Sequence, residues 1–337
     1  MPQTPNEFTQ RDDVQDRALR PKKLLDFTGQ RQVVENLSIA ISAAKHRQEP
    51  LDHVLLSGPP GLGKTTLAHI MAQELGSEIT ETAGPLLEKP GDLAGILSSL
   101  KPKSILFIDE VHSLKRVVEE YLYSAMEDYR ITIQLGEGAT SNALSLTLAP
   151  FTLVAATTRE GLLTPPFRSR FGIRERLDPY PVADLTTILH RSARLLSIQA
   201  DDAGLECIAQ RSRGTARYAN NHLRRIRDLA QVRYDGRITA TIAQEGLKML
   251  GIDPLGLTEL DRRILQCMAQ QKRHDGAFRP VGLKTLAVSV GEDETTIEEV
   301  YEPYLIQIGF ISKTPAGRVL NLPALAHLGI EQKNLFL

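Results

Sequence analysis

Tryptophan is absent from this 337-residue chain and aromatic residues make up only 5% of it, leaving a Leu- and Ala-rich composition. There are only two cysteines, Cys207 and Cys267, without a metal-type spacing. That argues against a disulfide framework or a zinc site and for small buried thiols in a reducing compartment. No uninterrupted apolar run approaches the roughly 18 residues of a membrane span. The first twenty residues are polar and mixed in charge, unlike a secretory signal. Charge of one sign is also missing: 40 Lys+Arg face 41 Asp+Glu, so any nucleic-acid contact must be local. Internal repeats and low-complexity tracts are lacking too. These absences leave a cytoplasmic α/β protein, long enough for two or three domains with sizeable cores.

What is present begins with Gly58-Pro59-Pro60-Gly61-Leu62-Gly63-Lys64-Thr65, between the apolar run Val54-Leu55-Leu56 and a helical pattern from Thr66. This is G-x-x-x-x-G-K-T in its expected strand-to-helix setting. The glycines let backbone N–H groups wrap a triphosphate, and the helix start adds its positive dipole end. Lys64 supplies a point charge to the β- and γ-phosphates, and the Thr65 hydroxyl can hold Mg²⁺. A plain Gly-rich turn would explain the glycines but not the Lys-Thr pair.

Short apolar runs alternate with helical patterns from about 18 to 180, which predicts a parallel sheet with crossovers. Strands are expected at 54–56, 105–108 and 152–156, and helices at 33–47, 66–75, 115–127 and 182–196. Residues 130–148 alternate loosely around Gly136-Glu137-Gly138, as a β-hairpin would. Residues 181–250 read as mostly helical, with one long basic helix over 217–233. The stretch Gly251-Ile252-Asp253-Pro254-Leu255-Gly256 reads as a linker. Beyond it come helices at 259–271, 283–289 and 294–302, then two short strands around Thr314-Pro315-Ala316-Gly317, the pattern of a winged helix. The expected divisions are a flexible segment 1–17, an ATPase domain 18–180, a small helical domain 181–254 and a winged helix 255–337.

More chemistry follows the phosphate loop. Ser104-Ile105-Leu106-Phe107-Ile108-Asp109-Glu110 delivers two carboxylates at a strand's C-terminal end, the end that faces the phosphate crevice in a parallel sheet. Asp109 suits a hydrated Mg²⁺, and Glu110 suits orienting or deprotonating water. Thr157 or Thr158 could hydrogen-bond the γ-phosphate or the lytic water. Arg168 and Arg170, set off by Pro165 and Pro166, suit presentation at a subunit interface, where an arginine offered in trans can be worth roughly 10³–10⁵ in rate. Arg217, opening a helix after Gly214-Thr215-Ala216, could reach the γ-phosphate. Individually these residues also read as strand-end hydroxyls, a solvated acidic turn or surface ion pairs.

Together they resemble an AAA+ ATPase. More narrowly, Leu19-Arg20-Pro21-Lys22, Phe27-Thr28-Gly29-Gln30, Leu51-Asp52-His53, the phosphate loop and Pro150-Phe151-Thr152-Leu153-Val154 resemble the bacterial RuvB family. So do residues 168–173, 214–227, 253–257 and 300–307. The resemblance covers about 18 to 328 and implies an AAA+ P-loop parallel sheet with a helical lid domain and a C-terminal winged-helix domain. It implies an ATP-driven motor for branch migration of Holliday junctions, assembled as a homo-hexameric ring. By that resemblance Leu19 and Arg20 line the base pocket. Gly61, Gly63, Lys64, Thr65 and Thr66 cradle phosphate, and Thr65 and Asp109 hold Mg²⁺. Glu110 completes the Walker B pair, Thr158 takes the sensor-1 position, Arg170 is the arginine finger and Arg217 the sensor-2 arginine. Glu127, Asp128, Tyr129 and Tyr180 match further nucleotide-neighbouring positions. The 130–148 hairpin matches the element that engages RuvA, and a RuvC-type resolvase is implied in a larger complex. Lys313 and Arg318 match DNA-backbone contacts. Ser113, Ala216, Tyr218 and Ala316 depart from residues common in the family, while the ATPase residues are intact.

From Pro303 onward the only acid is Glu331, so the wing reads as locally positive within a neutral domain. Two or three phosphate contacts per subunit give weak, salt-sensitive binding that a ring would multiply. Two other readings compete: an ATP-gated loader or initiator that switches once, and a scaffold with a vestigial nucleotide site. Many ATP turned over per DNA bound marks a motor, and about one marks a switch.

Overall fold

The computed structural model describes residues 18–135, 142–271 and 278–330. The expected flexible segment 1–17, the hairpin tip 136–141, Lys272, Arg273, Glu331 and Lys333 lie outside the described residues. Two compact units form, one from residues up to 198 with 214–221, the other from 199–213 with the chain from 222 onward.

The first unit is built on a five-stranded, all-parallel sheet. Its strands are β1 (Val54–Ser57), β2 (Ile79–Ala83), β3 (Ile105–Asp109), β6 (Thr152–Thr157) and β7 (Ile173–Arg176), in the order β2-β3-β6-β1-β7. Between β3 and β6 the chain makes an antiparallel pair, β4 (Arg130–Leu135) with β5 (Asn142–Thr147). The three central strands β1, β3 and β6 are buried almost throughout, because helices cover both faces. Against one face, Leu106, Ile108, Leu153 and Ala155 pack with Leu122, Met126, Phe151 and Phe167 in one cluster. Edge strand β2 is only half-buried and β7 alternates half-buried with exposed residues. Their mixed sequences, Ile-Thr-Glu-Thr-Ala and Ile-Arg-Glu-Arg, hide them from an apolar-run reading. The helix Pro90–Ser99 was likewise not expected, since Gly91, Gly95 and two serines blur its period, but Pro90 in its first turn suits a helix start.

The second unit holds the lid helices Asp202–Gln210 and Ala240–Met249, the later part of helix Ala216–Arg233, and the winged helix. A short parallel pair, β8 (Gln199–Ala200) with β9 (Arg237–Ile238), ties the lid segments together. The winged helix comprises Glu259–Gln270, Leu283–Val290, a helical run from Glu294 to Gln307 with a π-helical turn at Ile297–Tyr301, and the hairpin β10 (Ile311–Thr314) and β11 (Gly317–Leu320). Val281 bridges Arg318 as a third strand position. Leu257, Ile264, Leu265, Met268, Leu286, Ile297, Leu305 and Ile311 form its core. Cys207 is buried as expected, whereas Cys267 is only partly so; both are free thiols. Among the described residues no helix is long and apolar enough to cross a membrane.

Candidate active site

At the C-terminal ends of β1 and β3 the first unit carries a cleft of about 240 Å³. A single water needs roughly 10–15 Å³ of such space, so the room suits a much larger ligand. Its floor is the loop 58–65. Gly58, Gly61 and Gly63 have φ of +133°, +77° and +104°, a backbone region that suits glycine. A Cβ on Gly58 would lie 2.3 Å from the Leu177 carbonyl oxygen, and one on Gly61 would lie 2.6 Å from Thr215 Cγ2. The loop is therefore a tight cradle, followed at once by the helix Lys64–Leu75.

Lys64 is 7% exposed, and its Nζ donates to the carbonyls of Gly58 at 2.7 Å and Pro59 at 2.9 Å. Burial pushes its pKa down, with the charges of Glu110 and Asp109 opposing. The Asp109 carboxyl is pushed up, again chiefly by burial, while the Glu110 N–H donates to its Oδ1 at 2.9 Å and pulls the other way. A buried ammonium and a half-buried carboxyl group, each disfavoured in its charged form by burial, face one cleft. A polyanion and a cation would together relieve both. The residues thus fit a nucleotide with a divalent ion.

Glu110 sits in the left-handed region, φ 46°, unusual for a non-glycine residue. Its Oε2 accepts from Thr158 Oγ1 at 3.1 Å and from the Thr158 N–H at 3.3 Å. His112 Nδ1 lies 3.1 Å from the same oxygen and 3.1 Å from Thr157 Oγ1. The two threonines left open in the sequence are thereby separated: Thr158 bonds Glu110, and Thr157 bonds His112.

Of the remaining candidates, Leu19, Arg20, Thr65, Thr66, Tyr180 and Arg217 all line the cleft. Tyr180 donates to the Leu62 carbonyl at 2.8 Å, and burial pushes its phenol up. Lining residues that were not site candidates include Phe27, Ile188, Arg191 and Asn220. Phe27 and Asn220 sit in stretches that resemble the family, but Ile188 and Arg191 come from a helical surface and carry no local signal. Glu127, Asp128, Tyr129 and Arg170 are not among the cleft-lining residues of their own chain.

Family models match the chain in three consecutive stretches. They describe a Holliday junction DNA helicase RuvB P-loop domain over residues 19–177, a RuvB AAA lid domain over 180–253 and a RuvB C-terminal winged helix domain over 254–329. A curated relative, the Holliday junction branch migration complex subunit RuvB of Methanoregula boonei, is 54% identical over 96% of both chains. The chain belongs to the RuvB family. The solved structure of the Thermotoga maritima RuvB Holliday junction branch migration motor matches with TM-score 0.83 and 48% identity, over 93% of this chain and 99% of that one. A mutant form of that protein matches at TM-score 0.84 and 49% identity, with the same coverage. RuvB-family membership makes the chain an AAA+ ATPase that binds nucleotide.

Outside the cleft, this RuvB-family chain departs from its sequence reading at the wing. Lys313 and Arg318 face each other across β10–β11, but neither simply projects into solvent. Lys313 Nζ lies 2.8 Å from Glu302 and 3.0 Å from Glu298. Arg318 is 14% exposed and its Nε donates to Glu302 at 2.5 Å. The acids that precede the wing in sequence fold back onto it, so its local positive charge is partly neutralised. Counting charge along the chain missed this, because the helical run carries Glu298 and Glu302 beneath the hairpin.

Proposed function

We propose that this chain is an ATP-driven DNA motor that drives branch migration of Holliday junctions, working as a homo-hexameric ring. What carries the reading is family resemblance across all three regions together with a complete phosphate cleft. Lys64 would neutralise the β- and γ-phosphates, with Gly61, Gly63 and Thr66 supporting them and Leu19, Arg20 and Tyr180 around the base. Thr65 and Asp109 would hold Mg²⁺, which when bound neutralises phosphate charge. Glu110, kept in place by Thr158, would take a proton from water. Arg217 would read the γ-phosphate from its own chain.

Arg170 lies outside its own chain's cleft, which favours action in trans on a neighbour's nucleotide; Glu127, Asp128 and Tyr129 also lie outside it and would join Arg170 there. The domains would be 18–180, 181–254 and 255–337. Hydrolysis would be converted to translocation along duplex DNA, with Lys313 and Arg318 of the wing meeting the backbone. The 130–148 hairpin would engage a RuvA-type junction-binding protein, and a RuvC-type resolvase would join the larger complex, in the cytoplasm. Such sequence-independent backbone contact is what a translocating motor needs. Family membership favours this over the loader or the vestigial scaffold.

The test is four-way-junction dissociation with a RuvA-type partner, using Lys64→Ala and Glu110→Gln. Loss of ATP-dependent dissociation in both is expected, alongside many turnovers per junction in the wild type. Undiminished dissociation in either variant would overturn the reading.

A further inference from the structure

We propose that Tyr123 is a positioning residue for Arg170, holding its guanidinium ready for the nucleotide of an adjoining chain. The proposal rests on the reading of Arg170 as acting in trans.

Arg170 follows directly on the five-residue helix Pro165–Ser169. Its guanidinium carbon stands 4.4 Å from the centroid of the Tyr123 ring. Nη1 donates to the Pro166 carbonyl at 2.7 Å, and Nη2 lies 3.0 Å from Glu127 Oε1. The side chain is only 20% exposed. A free arginine samples many rotamers and loses that freedom when it docks. Here the ring face and two acceptors have already fixed it, which is the preorganisation that a residue aimed at developing charge requires.

Tyr123 reaches the other end of the same short helix through its hydroxyl. That hydroxyl donates to Glu119 and lies 2.8 Å from Thr164 Oγ1. Thr164 is the N-cap of Pro165–Ser169, accepting from the Phe167 N–H, and it also donates to Glu119. Glu119 is a buried carboxylate, so two hydroxyl donors compensate its desolvation. Glu119, Tyr123 and Glu127 recur at intervals of four on the helix Arg116–Asp128, one face of a single rigid element. That face meets Thr164, Phe167 and Arg170 in turn. Tyr123 thereby spans the finger-bearing helix from its cap to the guanidinium. The tyrosine sits far from Arg170 in sequence, in no motif, and was not a sequence candidate.

The experiment uses the full-length chain assembled on duplex DNA. It compares kcat, KM, labelled-ADP affinity and thermal midpoint for Tyr123→Leu, Tyr123→Phe, Arg170→Ala and the Leu/Ala double variant. Losing the ring face should lower kcat about tenfold, the scale of a partly desolvated cation–π contact. KM and ADP affinity should stay within about twofold, since binding in the chain's own cleft is untouched. Phenylalanine keeps the face but not the ties to Glu119 and Thr164, so its kcat should fall only about threefold. In the double variant kcat should be no lower than in Arg170→Ala, because the two residues act as a unit. Wild-type kcat in Tyr123→Leu, or losses that multiply in the double variant, would overturn the proposal. Wild-type kcat in Arg170→Ala would instead remove the trans reading beneath it.

Discussion

Glu302 is wholly buried and accepts from Arg318 Nε at 2.5 Å, so one of the two wing cations is bound to an acid of its own domain. Lys313 touches the same carboxylate at 2.8 Å but is 43% exposed. The two cations should therefore behave differently when removed. Lys313→Ala should weaken duplex binding almost uniformly across sequences and reduce the salt slope by about one per chain. Arg318→Ala leaves Glu302 buried without its closest partner and should lower stability by about 3–5 kcal/mol. Salt-titrated DNA binding and urea unfolding of both variants check this pair of outcomes.

A second buried pair stiffens the second unit. Arg213 Nη2 donates to Asp261, which is fully buried and also accepts from the Thr258 N–H at 2.7 Å and its hydroxyl at 2.5 Å. Arg213 Nε donates to the Gly256 carbonyl at 2.7 Å, and its guanidinium carbon lies 4.8 Å from the Tyr304 ring centroid. Asp261→Ala removes a buried carboxylate partner of the arginine and the capping box of helix Glu259–Gln270. A loss of about 3–5 kcal/mol is expected in chemical unfolding. A loss below about 1 kcal/mol would show that the pair is solvated after all.

His222 sets an acid limit. It is buried beside Ser212, and burial, helped by the nearby Arg213 charge, lowers its pKa from 6.5 to about 4. Between those values the unfolded chain binds a proton that the folded chain refuses. Stability therefore falls as pH drops through that window and is fully present above it. The loss by pH 4 should be roughly 3 kcal/mol. His222→Asn should flatten this part of the pH profile, measured by urea midpoints between about pH 4 and 7.

Lys64 makes an opposite prediction for the ligand-free and ligand-bound chain. Its ammonium is buried at a cost that lowers its pKa. Lys64→Met should leave the free chain's thermal midpoint unchanged or raised. It should also abolish stabilisation by ATP, which at a hundred times Kd amounts to about 2.7 kcal/mol in a binding chain. Thermal melts with and without nucleotide separate the two effects. An ATP-induced shift surviving in the variant would contradict the expected contact.

The parts of this molecule that could be read in advance share one property: their information is contiguous. Strands β1, β3 and β6 are apolar runs because both faces are covered, and the phosphate loop is one unbroken segment. The helices 33–47, 66–75, 115–127 and 182–196 were visible by period and lie within a residue or two of the observed ends. Strands β2 and β7 escaped because an edge position lets threonine, glutamate and arginine into half-exposed sites. In the site, Lys64, Asp109 and Arg217 were legible from motifs. Arg191 in the cleft, the Tyr123–Glu119–Thr164 cluster and the acids folded under the wing were not. Each depends on elements brought together by tertiary packing, and no local spacing encodes that.

Finally, Gly58 abuts the carbonyl of Leu177 so closely that even one methyl group finds no space. Anyone hoping to retune the speed of this machine would gain nothing by editing that corner. Variation has to come from the periphery, where side chains still have somewhere to go.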